Sequence, residues 1–111
     1  MAKELKFVML LDCYGDLLTE HQRSVMEQYY CEDLSLAEIS APLGITRQAV
    51  MSLLKRTEAI LSGYEEKLGF AGRLREMRRC IEKIEKASGS IADEGLRNII
   101  SGEAAAMKEL L

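Results

Sequence analysis

The stretch SLAEISAPLGITRQAVMSLLK (Ser35–Lys55) decides the fold. Gly44 sits where the chain has to turn. Leu36, Ile39 and Leu43 precede it at helical spacing, and Ile45, Val50 and Leu53 follow it. Ser40 is small enough to let a second helix come close. Ser35 with Glu38 forms S-x-x-E, a box that satisfies the orphan amides of a helix start. Thr46 is placed to cap the next helix. The pattern is a helix-turn-helix, with helices over Leu36–Leu43 and from Arg47 onward, and it predicts that Ile39, Leu43, Ile45, Val50 and Leu53 are buried together. Pro42 falls inside the last turn of the first of these helices, where it removes one hydrogen bond and strains the preceding turn.

Helical periodicity extends outward from this motif in both directions, and no segment reads as a strand. A first helix is expected over about Glu4–Leu17, with Val8, Leu11, Gly15 and Leu18 toward the core. Thr19 and Gln22 make a second capping box and open a helix at Glu20, whose apolar stripe is Val25, Met26, Tyr29 and Tyr30. The helix that starts at Arg47 has no breaker before Gly63 and reads through to Leu68, since one glycine costs only about 1 kcal/mol. Gly69 and Gly72 mark a boundary. Beyond it, Phe70, Leu74, Met77, Ile81 and Ile84 form a narrow seam on a helix over about Arg73–Ala87. Ser88-Gly89-Ser90 is a turn, and a last helix is expected over about Ile91–Leu110, weakened by Gly95 and Gly102. The fold class is therefore all-α: a helix-turn-helix core, winged-helix-like or sigma region 4-like, over residues 1–68, and a helical hairpin extension over 69–111.

Composition narrows the function. Apolar residues make up 48% and charged residues 30% of 111 positions, the balance of a helix-rich globular chain and not of a disordered one. No apolar run is long enough to span a membrane, so membrane insertion is not expected. No basic leader with a small-residue cleavage site is read, which points to the cytoplasm. Cys13, Cys31 and Cys80 are far apart and odd in number, so they are expected as reduced thiols, buried or half-buried. His21 is the single histidine, and no metal or cofactor site is read. An enzyme is not expected either: there is no P-loop glycine pattern and no H-E-x-x-H.

Charge is uneven along the chain. The total is −3. Residues 1–43 carry three bases against eight acids, a net of −5, whereas residues 44–57 carry Arg47, Lys55 and Arg56 and no acid, a net of +3. Residues 73–86 carry six bases against three acids, again +3. Positive charge therefore gathers on the second helix of the motif and on one later helix. In a helix-turn-helix the second helix offers its first turns to base edges. The residues facing away from Val50 and Leu53 are Thr46, Arg47, Gln48, Met51, Ser52 and Lys55. Arg47 suits guanine and Gln48 suits adenine, each by two hydrogen bonds. Lys55 and Arg56 lie farther along and suit phosphates. Thr46 and Ser35 stand at helix starts, where the dipole also favours anions.

Three blocks carry a resemblance to a known family. They are Tyr29-Tyr30 with Asp33 and Ser35–Ile39, the block Thr46–Val50, and Lys55–Glu58 with Tyr64–Leu68. Together, over about Leu18–Leu68, the chain closely resembles the YlxM family of small bacterial helix-turn-helix proteins. The same core looks like region 4 of bacterial sigma factors. The resemblance implies DNA binding, and a regulatory part in the signal recognition particle pathway, because genes of this family neighbour those of the particle's protein and its receptor. Ala41-Pro42 departs from the polar pair common in the family, and Met51 and Ser52 stand where sigma-like readers carry more polar groups.

The leading expectation is thus a regulatory protein that binds DNA, with RNA also open, or components of the signal recognition particle. The rival is a protein-interaction module that docks on the particle's GTPase without touching nucleic acid. The acidic first 43 residues favour the rival. The seam from Phe70 to Ile84 is read as a surface for pairing two chains into a homodimer, with packing back onto the same chain as the alternative.

Overall fold

The computed structural model describes residues 3–111 and is helical throughout, with no strand among them. The helices are α1 (Leu5–Tyr14), α2 (Glu20–Tyr30), α3 (Leu36–Leu43), α4 (Arg47–Leu68), α5 (Phe70–Ser88) and α6 (Glu94–Glu109). A 3-10 turn, Gly15–Leu17, follows α1. The chain divides into two compact units, one ending at Ala71 and one running Gly72–Leu111. The division falls inside α5.

Local chemistry sets the helix starts. Thr19 Oγ1 accepts from the Gln22 amide at 3.2 Å, and the Gln22 side chain accepts from the Thr19 amide at 3.0 Å. Ser35 and Glu38 make the same reciprocal pair, both bonds at 3.1 Å. Thr46 Oγ1 caps α4 through the Ala49 amide at 3.0 Å. Asp93 caps α6 through the Leu96 amide at 2.9 Å. The last helix thus begins three residues later than its apolar pattern suggests, because the aspartate cap defines the start.

In the first unit, Phe7, Leu10, Leu11 and Tyr14 of α1 pack with Val25 and Met26 of α2, Ile39 of α3, and Val50, Leu54 and Leu61 of α4. Ile39, Val50 and Leu61 have no exposure. The inward face of α1 is therefore 7-10-11-14; of the expected line Leu11 and Gly15 are buried and Leu18 packs on the core, whereas Val8 is only half-buried. The run Phe7–Leu11 is apolar on every side, so its periodicity does not select one face. Thr57 is buried because its hydroxyl is satisfied within α4, donating to the Leu53 carbonyl at 2.8 Å.

The expected cluster around the turn is only partly formed. Ile39 and Val50 are buried and Leu53 is half-buried against the core, but Leu43 is 42% and Ile45 39% exposed. Cover ends at Ser40: every residue from Ala41 to Ala49 is exposed. Cys13 is half-buried as expected, whereas Cys31 and Cys80 are exposed, and all three are free thiols.

Two connections are held by side chains. Lys3 Nζ donates to the carbonyls of Tyr29 and Leu34, each at 2.7 Å, and lies 3.7 Å above the Tyr29 ring. The lysine thereby caps the end of α2 and holds the approach to α3, across a loop in which Asp33 takes a left-handed φ of 55°. At the other end, Gly69 closes α4 with φ 64°, and the first amides of α5 find oxygens outside the helix: Phe70 N donates to Tyr14 Oη and Ala71 N to Glu65 Oε1, both at 3.0 Å.

In the second unit, the buried residues are Ile81, Ser88 and Ala104. Of the expected seam, Ile81 is buried and Leu74 half-buried. Met77 and Ile84, like Phe70 in the first unit, remain open.

Candidate nucleic-acid interface

The turn between α3 and α4 is built by backbone hydrogen bonds that only a left-handed residue completes. Gly44 takes φ 67° and ψ 27°. Its amide donates to the Ala41 carbonyl at 3.3 Å, and the Ile45 amide donates to Ser40 at 3.4 Å. This nested pair is a Schellman motif, which ends a helix and redirects the chain within two residues. Pro42 lies in the last turn of α3, one residue before its end, and Ser40 is buried.

α4 is two-faced over its first three turns. Val50, Leu54 and Thr57 point into the core. Gln48, Ser52 and Lys55, at i, i+4 and i+7, lie on the opposite side and are exposed. Arg47 is exposed on the first turn, and Arg56 is exposed one residue beyond Lys55. Of the seven residues expected to form the interface, Thr46, Arg47, Gln48, Ser52, Lys55 and Arg56 are exposed, and Met51 is half-buried at the edge. Sequence reading passed over Ala49. It is exposed on the first turn, and a methyl group there suits contact with a thymine methyl. Its position beside Gln48 was the available signal.

The electrostatics leave these cations open. Arg47 and Lys55 make no hydrogen bond or ion pair with a described residue, and Arg56 bonds only its own helix, Nε to the Ser52 carbonyl at 3.4 Å. The Thr46 hydroxyl accepts the cap bond and keeps its hydrogen free to donate. Arg23 on α2, by contrast, is matched: it meets Asp16 at 2.6 Å and Glu27 at 2.9 Å. On α3, Glu38 is occupied by its box, and the hydrogen bond from the Ser35 amide holds its carboxyl below the ordinary range. What the arrangement offers is a short row of unpaired donors on a convex helix, suited to an anionic groove. Among the described residues, no group of three His, Cys, Asp or Glu side chains is placed to hold a metal ion, and no helix is long and apolar enough to cross a membrane.

Comparison with known proteins agrees with this geometry. A family model described as UPF0122, "Putative helix-turn-helix protein, YlxM / p13 like", matches residues 1–98. A UPF0122 protein of Caldanaerobacter subterraneus subsp. tengcongensis is 49% identical over 87 residues, 78% of this chain and 74% of the relative. One from Desulforamulus reducens is 46% identical over 95 residues, 82% of this chain and 81% of the relative. One from Bacillus cereus (strain AH187) is 43% identical over 86 residues, 78% of each. With a match across most of its length and an intact helix-turn-helix at its centre, the chain belongs to the UPF0122 family of YlxM-like helix-turn-helix proteins.

Proposed function

We propose that this protein is a regulator that binds nucleic acid through α4, acting in the signal recognition particle pathway in the cytoplasm. One observation carries the reading: α4 buries one face in the core while its opposite face presents Gln48, Ser52 and Lys55, flanked by Arg47 and Arg56, to solvent with the cations unpaired. A helix so mounted enters a major groove with its first turn against base edges. Arg47 and Gln48 then read bases, Ala49 and Met51 meet apolar base surface, and Thr46, Ser52, Lys55 and Arg56 hold phosphates. The link to the particle pathway is supported by the resemblance of Leu18–Leu68 to the YlxM family.

A second reading has its own observation. Leu43 and Ile45 stand open on either side of Gly44, and an apolar corner of that kind suits docking on a protein such as the particle's GTPase. Fluorescence anisotropy with labelled duplex DNA and with the particle's RNA, across a salt series, separates the two. Two cations on phosphates, Lys55 and Arg56, give a log–log salt slope of about −2. Absence of binding to either nucleic acid at low salt, where the electrostatic attraction is strongest, transfers the function to the protein-docking reading.

A further inference from the structure

The positive charge of residues 73–86 has no part in the α4 surface. α5 carries six bases against three acids. Each of those acids already has a cation: Glu76 meets Arg79 at 2.7 Å, and Glu82 and Glu85 lie 4.0 Å and 3.2 Å from Lys108. Lys83 and Lys86 make no hydrogen bond or ion pair with a described residue. By the 3.6-residue turn, Arg75, Arg79, Lys83 and Lys86 fall within a sector of about 80° and extend about 16 Å along the helix. All four are exposed. Leu74, Ile81 and Ser88, which are buried or half-buried, lie on the opposite side. The cations thus form a straight row on the back of the helix, with members about 5 to 6 Å apart along its axis.

We propose that this row holds backbone phosphates of duplex DNA, a sequence-independent contact made in addition to that of α4. The choice of DNA rests on the reading of α4: the major groove of B-form DNA admits a helix, whereas that of an RNA duplex is too deep and narrow. Charge complementarity identifies the occupant. A duplex carries one negative charge per about 1.7 Å of its axis, so a straight row of cations finds phosphate along its whole length whatever the base sequence. An acidic protein surface offers no such repeat. A lipid surface does not fit either. A helix lying on lipid turns its apolar side to the acyl chains and keeps its cations beside that side. On α5 the row is opposite the apolar side, so the two cannot face one membrane together.

Fluorescence anisotropy of the full chain on a labelled DNA duplex of arbitrary sequence, across a salt series, tests this, with an RNA duplex and phosphatidylglycerol vesicles as parallel arms. With Lys55 and Arg56, the row makes six phosphate contacts and a log–log salt slope of about −5. Lys83→Gln with Lys86→Gln is expected to reduce that slope by about two units and to weaken binding on the order of tenfold at low salt, with the far-ultraviolet circular dichroism unchanged. Lys6→Gln with Lys67→Gln removes the same charge at exposed positions on α1 and α4 and is expected to leave the slope as it is. A slope near −2 that Lys83→Gln with Lys86→Gln does not alter overturns the proposal and leaves α4 as the sole contact. A loss from that pair with none from Arg47→Ala or Lys55→Ala keeps the row and fails the reading of α4 instead. Equal losses from the two lysine pairs, tighter binding to the RNA duplex than to DNA, or binding to the vesicles alone overturns the proposal.

Discussion

Tyr14 donates its phenolic hydrogen to Glu65 Oε1 at 2.6 Å, and the same two oxygens receive the first amides of α5, Phe70 on Tyr14 and Ala71 on Glu65. One pair thus ties α1 to α4 and caps α5. Tyr14 is 2% exposed, so what it bonds has little access to water as a substitute. Tyr14→Phe keeps the ring and removes both hydroxyl bonds. It is expected to cost about 1–3 kcal/mol in urea unfolding. The exchange of the Phe70 amide should accelerate by more than that of mid-α4 amides; equal acceleration of both would remove the cap.

Alkaline pH should weaken the fold. Burial, and then the hydrogen bond to Glu65, raise the Tyr14 hydroxyl above its ordinary value near 10; burial and the 2.6 Å bond to Glu58 do the same for Tyr30. A phenol raised in the folded state keeps its proton where the unfolded chain has lost it. Its contribution is complete below pH 10 and declines as pH rises beyond. Thermal melts from pH 8 to 11 should show a fall beginning near 10. Tyr14→Phe with Tyr30→Phe should flatten that fall, and an undiminished slope in the double variant would assign it to other groups.

The two sides of the turn should respond oppositely to polar substitution. Val50→Asp places an unpaired carboxylate in the core and should cost more than about 4 kcal/mol, enough to unfold the first unit. Ile45→Ser, at an exposed position, should remain within about 0.5 kcal/mol of the unmodified chain. A Val50→Asp protein with an unchanged melting temperature would mean that α4 does not pack as described.

Binding should divide between base and phosphate contacts. Arg47→Ala is expected to cost about 1–3 kcal/mol on a preferred site and much less on random sequence. Lys55→Ala should weaken all sequences alike and reduce the salt slope by about one unit. The result that contradicts this division is a uniform loss from Arg47→Ala.

Helix ends were easier to read from sequence than helix faces. Ser35, Glu38, Gly44 and Thr46 each act through their own neighbours, so the bounds of α3 and the start of α4 follow from a few residues. The face of α1 is legible only in part: Leu11 and Gly15 are buried as expected, but Phe7 to Leu11 has no polar residue to break the symmetry, and docking against α2 and α4 selects Phe7, Leu10 and Tyr14. Leu43 and Ile45 have the composition of core residues, yet both stay about two-fifths exposed beside the turn. The roles of Lys3 and Tyr14 were not visible, since their partners are 26 to 56 residues away. Within the candidate interface, spacing identified the outward row but passed over Ala49, whose short side chain gives no polar signal.

The capping boxes also bear on the order of assembly. α2, α3 and α4 start on local signals and are joined by short connections, so they can associate quickly, without a large loss of loop entropy. The bonds of Tyr14 to Glu65 and Phe70 close loops of 51 and 56 residues, so α1, which meets α2 close by in sequence, gains these partners only after much of the chain has been drawn together. Closure of α1 onto α4 is therefore expected late: Tyr14→Phe should speed unfolding while barely slowing refolding, whereas Ile39→Val should slow refolding. The helix-turn-helix would then be assembled before the contacts that lock α1 onto it.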